Sequence, residues 1–142
     1  MSRFVVDASV VVQLLVNEQY TIETKALFAT IEDGNKLFVP EFGLLECTNV
    51  LWKHVRFHGL NQADAEKQVA ILIALDVVVA PAIGLMPRAL EIGLKHQLAI
   101  YDSIYIALAE KLNYPLITVD QRQARATQVE GITLKDIADF TP

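Results

Sequence analysis

Apolar positions in this chain alternate between two patterns, short β-branched runs and longer stretches with helical spacing. The runs predict strands over 3–7 (RFVVD), 37–39 closed by Pro40, 77–79, 116–119 and 132–134. Each is short and almost continuously apolar, the pattern of a strand covered on both faces. Between them the spacing predicts helices over 8–16, 21–32, 42–57, 61–75, 85–97, 102–112 and 121–127. Asp33-Gly34-Asn35 ends the second helix, Asn61 can cap the fourth, and Pro87 is tolerated in the first turn of the fifth. Asn113-Tyr114-Pro115 stops the sixth.

Strands that alternate with helices predict a three-layer α/β/α sandwich around a central parallel sheet, with right-handed crossovers. Strand order does not follow from the pattern. The most hydrophobic stretch, 69–80, holds Asp76, is followed by Pro81, and falls short of the roughly 20 residues a membrane span needs. It predicts a buried helix running into a buried strand in a soluble protein with no membrane partner. Within 42–57, Leu44, Leu45, Thr48, Leu51, Trp52 and Val55 form a broad face expected to pack inward. Glu46, Asn49, Val50 and Lys53 form a second, mixed stripe, as on a helix that flanks a cleft.

Composition narrows the function classes only a little. A hydrophobic content of 53% over 142 residues supports one domain with a sizeable core. The lone Cys47 excludes an internal disulfide framework and a cysteine-based zinc site, and it predicts a reducing, cytoplasmic setting. The initial apolar run stops at Asp7, so no secretory leader is expected. The net charge of -5, from 12 basic and 17 acidic residues, argues against a nucleic-acid partner. That argument weakens if some of the acid is gathered around bound divalent cations, which invert the local sign.

The acids themselves carry the candidate chemistry. Asp7 and Asp120 each close a predicted strand, where functional groups of open parallel sheets collect. If their strands are close in the sheet, both side chains enter one crevice. Asp102 sits in the first turn of an otherwise apolar helix, and Glu46 lies on the mixed stripe. Singly, the three aspartates read more readily as helix caps or dipole partners, and Glu46 as a solvated residue paired with Asn49 or Lys53. Jointly, four acids at element ends in one small α/β domain point to a site for Mg²⁺ or Mn²⁺, ions that take oxygen ligands and offset carboxylate repulsion.

At these residues the chain resembles a known family. Phe-Val-Val-Asp7-Ala-Ser9, Pro40 with Leu-Leu-Glu46, Tyr-Asp102-Ser-Ile-Tyr-Ile-Ala-Leu-Ala, and Thr118-Val-Asp120 occur in the order and spacing of the PIN-domain ribonucleases. Among these the chain looks most similar to VapC-like toxins of prokaryotic toxin–antitoxin pairs. The resemblance spans the chain and implies a single PIN-like domain over 1–142. It implies an acidic pocket that binds Mg²⁺ or Mn²⁺ and endonucleolytic cleavage of RNA. By position it makes Asp7, Glu46, Asp102 and Asp120 the acidic quartet, with Asp7 and Asp102 the most direct ligands, and Ser9 and Thr118 the hydroxyls lining the pocket. It also implies a cognate antitoxin and a homodimer.

Several further residues have two readings. Lys53, His54, Arg56 and His58 follow Glu46, and Arg122 and Arg125 follow Asp120; all could hold RNA phosphates or simply end solvated helices. Arg122, directly behind a candidate site, is the favoured phosphate contact. His54 and His58 read as a surface pair, Cys47 as core, and Trp52, Tyr101 and Tyr105 as core aromatics. Helices 8–16 and 45–55 are apolar around much of their circumference and could meet a second copy or an antitoxin helix. Competing functions are an RNA-processing PIN nuclease without an antitoxin and an inactive PIN domain that serves as a binding module. A phosphoaspartyl phosphatase is disfavoured because Ser9 stands where its second acid is required.

Overall fold

Val5 and Val6 point to opposite sides of the first strand, yet both are fully buried. Leu116 and Ile117 behave the same way in the last strand, so the sheet is covered on both faces. The computed structural model describes residues 1–142. Four strands, β1 (Arg3–Val6), β2 (Lys36–Pro40), β3 (Val78–Ala80) and β4 (Leu116–Ile117), form one parallel sheet in the order β3-β2-β1-β4. Seven α-helices flank it: α1 (Ala8–Val11), α2 (Thr21–Ala29), α3 (Gly43–Phe57), α4 (Gln62–Ala74), α5 (Met86–His96), α6 (Ile100–Leu112) and α7 (Gln121–Val129). The expected three-layer α/β/α arrangement is therefore the one found.

The strand order holds the information that matters for function. The chain steps outward from β1 to β2 to β3, then returns to place β4 on the other side of β1. Winding thus reverses between β1 and β4, whose register pairs Val5 with Leu116 and Val6 with Ile117. A crevice opens beyond the carboxyl ends of the two strands at such a reversal. Asp7 and Asp120 follow those two strands.

The boundaries differ from expectation in ways that have physical causes. The helix predicted over 8–16 is α-helical only through Val11 and tightens into a 3₁₀ turn at Val12–Leu14. Ala8, Val10, Val11 and Leu15 of this segment are buried in the core, while Val12, Leu14 and Val16 are half-buried. β4 ends at Ile117, and beyond it the Val119 N–H goes to the Ser9 hydroxyl and the Asp120 N–H to the Thr118 hydroxyl instead of to a neighbouring strand. The strand predicted over 132–134 contracts to a single bridge between Leu116 and Leu134. The stretch 69–80 is not buried: only Leu72 is, while Ile71, Ile73, Val78 and Val79 are exposed. α4 packs on α3 alone among its larger neighbours, and β3 is the sheet's edge, so neither is enclosed. No helix is long and apolar enough to cross a membrane.

Candidate active site

Asp7 is the buried centre of the crevice, only 3% exposed. It leaves β1 in extended conformation and caps α1, its Oδ2 accepting from the Ser9 N–H at 3.3 Å. Thr118 Oγ1 also donates to Oδ2, at 3.1 Å, and Gln123 Nε2 donates to Oδ1 at 3.3 Å. Capping and a site role are thus not alternatives at this position, since one cap bond leaves room for two donors from the far side of the sheet reversal.

The two hydroxyls expected to line the pocket join the strand ends. Ser9 Oγ lies 3.3 Å from Thr118 Oγ1 and accepts the Val119 N–H at 3.2 Å. Thr118 Oγ1 accepts the Asp120 N–H at 3.1 Å, and Asp120 caps α7 by accepting from the Gln123 N–H at 3.1 Å. Ser9 faces the cleft, whereas Thr118 lies behind Asp7 and holds it.

Glu46 projects from the first turn of α3, where its Oε1 accepts a 3.0 Å hydrogen bond from the Tyr105 hydroxyl. Gly43 makes that approach possible, because a Cβ there would stand 3.0 Å from the Tyr105 oxygen and 3.3 Å from the Val39 Cβ. The inward stripe of α3 is Gly43, Cys47 and Leu51, one residue every turn. Leu45 and Trp52, expected on that stripe, are exposed instead. Tyr105 is core as expected and has a polar duty at its tip. Asp102 lies in the first turn of α6 without capping it, since Ala99 holds the cap position, and no protein donor reaches its carboxylate.

Asp7, Glu46, Asp102 and Asp120 all line one cleft of about 830 Å³, together with Asn49 and Lys53 of the mixed stripe. Their charges bear on one another. Burial raises the Asp7 carboxyl above its usual range, against the hydrogen bonds from Ser9, Gln123 and Thr118. Burial also pushes Glu46 up to about 7, opposed by Tyr105 and reinforced by the charges of Asp7 and Asp102. Asp102 is raised by burial first and then by Asp7 and Asp120, with Arg122 acting the other way. The same surroundings raise the Tyr105 phenol, and burial takes the Cys47 thiol up to about 12.

Such a donor set, four carboxylates and no soft ligand, suits Mg²⁺ or Mn²⁺. No three His, Cys, Asp or Glu side chains close into a preformed cage. A Mg²⁺ ion takes one or two carboxylates and keeps water in the rest of its shell, so it requires no such cage. A stability prediction follows. Folding takes up protons at carboxyls whose values are raised, so metal-free stability should fall as pH rises from about 4 through the value of about 7 at Glu46. Melting temperatures in EDTA should therefore be lower near pH 8 than near pH 5.5, and Mn²⁺ should raise them most at the alkaline end. A metal-independent profile that rises with pH would contradict this electrostatic picture.

Arg122 does not enter the acid cleft. Its guanidinium donates to the Gln97 carbonyl at 2.6 Å, at the left-handed end of α5, and shares a small cavity of about 150 Å³ with His96 and Arg125. Lys53 is the cation at the cleft itself. The His54 and His58 rings lie 5.2 Å apart away from the site, consistent with a surface pair.

Gln123 is the participant that sequence reasoning missed. Only 1% exposed, it reaches Asp7 Oδ1 and, through the same Nε2, the Asp102 carbonyl at 3.0 Å. Asp120-Gln121-Arg122-Gln123 has the spacing of a capping box, which was the available signal. Here the side chain turns into the site rather than back to the cap.

Residues 4–129 match the PIN domain family. Ribonuclease VapC9 of Mycobacterium tuberculosis is 32% identical over 126 residues, spanning 89% of this chain and 92% of the relative. Among solved structures, PAE2754 from Pyrobaculum aerophilum superposes with a TM-score of 0.75 at 21% identity, covering 97% of this chain and 92% of its own. VapBC2 from Rickettsia felis, solved bound to a promoter DNA fragment, gives 0.69 at 9% identity over 94% and 98% of the two chains. The two structures establish likeness of fold.

Proposed function

Because this chain belongs to the PIN-domain family, we propose that it is a Mg²⁺- or Mn²⁺-dependent endoribonuclease, the toxin of a toxin–antitoxin pair. The observation that carries this reading is the convergence of Asp7, Glu46, Asp102 and Asp120 on one cleft at the sheet's reversal. The relative named a ribonuclease supports RNA as the substrate class.

In this reading Asp7 and Asp102 hold the cation, with Glu46 and Asp120 acting directly or through water. A cation held there supplies Lewis acidity and a more acidic water for attack on a phosphodiester. The protein's own groups do the rest. Ser9, Thr118 and Gln123 fix the Asp7 carboxylate so that its orientation does not depend on the ligand. Glu46, held up to about 7, is matched to accept a proton near neutral pH. Lys53 faces the cleft and offers a contact for phosphate, with Arg122 a contact farther along the strand.

The proposal includes a cytoplasmic location, an antitoxin and self-association. Met86, Leu90 and Leu94 form an exposed apolar stripe on α5, which supports a protein partner on that face. The test is incubation of purified protein with total RNA, with and without Mg²⁺ or Mn²⁺, beside an Asp7→Ala control. Cleavage should need both the metal and Asp7. Equal cleavage by the control, or none under any metal condition, would remove the nuclease assignment.

A further inference from the structure

Tyr105 is fully enclosed in the core, yet it carries a hydroxyl where a phenylalanine ring would fill the same space. That hydroxyl has one partner, Glu46 Oε1 at 3.0 Å. Burying a hydroxyl and satisfying it with a single bond gains a fold little, so packing does not explain the choice of tyrosine. Backbone conformation does not explain Gly43 either, since it opens α3 without a positive φ. A Cβ at that position would meet the Tyr105 oxygen first, at 3.0 Å, and then the Val39 Cβ at 3.3 Å. The tightest contact is the hydroxyl, and the glycine keeps its slot open.

Neither residue lines the acid cleft; both stand behind the side chains that do. Gly43 lies one turn before Glu46 on α3, and Tyr105 one turn after Asp102 on α6. The hydrogen bond from Tyr105 therefore bridges the two helices that carry these acids, and it fixes Glu46 relative to Asp102. It also divides the two oxygens of Glu46. Oε1 is turned back to the hydroxyl, while Oε2 takes no protein hydrogen bond and is open to the cleft. A glutamate side chain is long and would otherwise sample several orientations.

We propose that Tyr105 is a positioning residue: its hydroxyl holds Glu46 with Oε2 presented to the cation site, and Gly43 leaves the room this requires. The inference rests on the nuclease reading for its effect on rate, and on the acid cleft alone for its effect on metal binding.

Full-length Tyr105→Phe, Gly43→Ala and the double variant are compared with the unaltered chain by Mn²⁺ titration and by RNA cleavage. Tyr105→Phe keeps the ring and deletes only the oxygen, whereas Gly43→Ala displaces that oxygen without deleting it. Each is expected to weaken Mn²⁺ binding and to lower kcat, both by about tenfold, with KM for RNA changed by less than about twofold. Because both act through one contact, the double variant should match Tyr105→Phe rather than combine the two losses. In a Glu46→Gln background Tyr105→Phe should have no further effect on Mn²⁺ affinity, whereas a loss of core packing would act there too. Unaltered Mn²⁺ affinity in Tyr105→Phe, additive losses in the double variant, or an undiminished effect in the Glu46→Gln background overturns the proposal. Weaker Mn²⁺ binding by Tyr105→Phe, with no RNA cleavage by the unaltered chain under any metal condition, removes the nuclease reading alone. Metal-dependent cleavage by the unaltered chain, with Tyr105→Phe equal to it in kcat and Mn²⁺ affinity, removes the positioning role alone.

Discussion

Asp102→Asn is expected to leave the protein folded and to abolish metal-dependent RNA cleavage. The side chain has no protein donor and caps nothing, so its removal breaks no hydrogen bond. It stands near Asp7 and Asp120, whose charges raise its own carboxyl, so a neutral isostere relieves repulsion. Without metal the variant should melt within about 2 °C of the parent or above it, in keeping with a stability change of about 0.5 kcal/mol or less. Activity is a different matter. A cation ligand contributes several kcal/mol of charge stabilisation in the reaction, and each 1.36 kcal/mol is tenfold in rate, so a loss of roughly three orders of magnitude or more is anticipated. The Mn²⁺-induced rise in melting temperature should shrink in parallel. Retained cleavage in a variant purified free of parent protein would show that this acid is not part of the chemistry. A large drop in melting temperature would show instead that the carboxylate has a structural partner.

The acids were visible in the sequence because of where they stand. A β-branched run ending in aspartate marks the carboxyl end of a strand, and both Asp7 and Asp120 are marked in this way. Their adjacency was not visible, because pairing of β1 with β4 brings together residues more than a hundred positions apart and rests on the whole sheet order. Burial was the least legible property. Periodicity tells which residues share a face but not whether another element covers it. Hence Leu45, Trp52 and Tyr101 were assigned to the interior and stand in solvent, as do Ile71 and Ile73 of the most apolar stretch. Tyr105, one turn along the same face of α6 as Tyr101, is fully enclosed because at that position the helix lies against β1, β2 and the Gly43 notch. The contrast between these two tyrosines separates a core residue from one that lines the cleft, and one turn of helix decides it.

Gln123 shows the opposite failure, a polar residue of a short helix that the sequence pattern does not single out. Gln123→Leu is expected to cost more stability than any substitution on the cleft surface. Leucine has nearly the same bulk, so packing changes little and the hydrogen bonds are what is removed. Asp7 Oδ1 then loses its donor while Oδ2 keeps those from Ser9 and Thr118, and the Asp102 carbonyl loses its bond to α7. Leaving a buried acceptor atom unpaired costs about 1–3 kcal/mol, which for a chain of this size lowers the melting temperature by roughly 4 °C or more. The deficit should also depend on pH. Burial raises the Asp7 carboxyl, and losing the Gln123 donor raises it further, so protonation at lower pH sheds part of the cost and the gap from the parent should be smaller at about pH 5.5 than at about pH 8. Cleavage should fall as well, by about 10- to 100-fold, because Asp7 loses the donor that fixes its orientation. Parent-like melting at both pH values would mean that Ser9 and Thr118 suffice to hold Asp7, and the bridge from α7 would lose its assigned role.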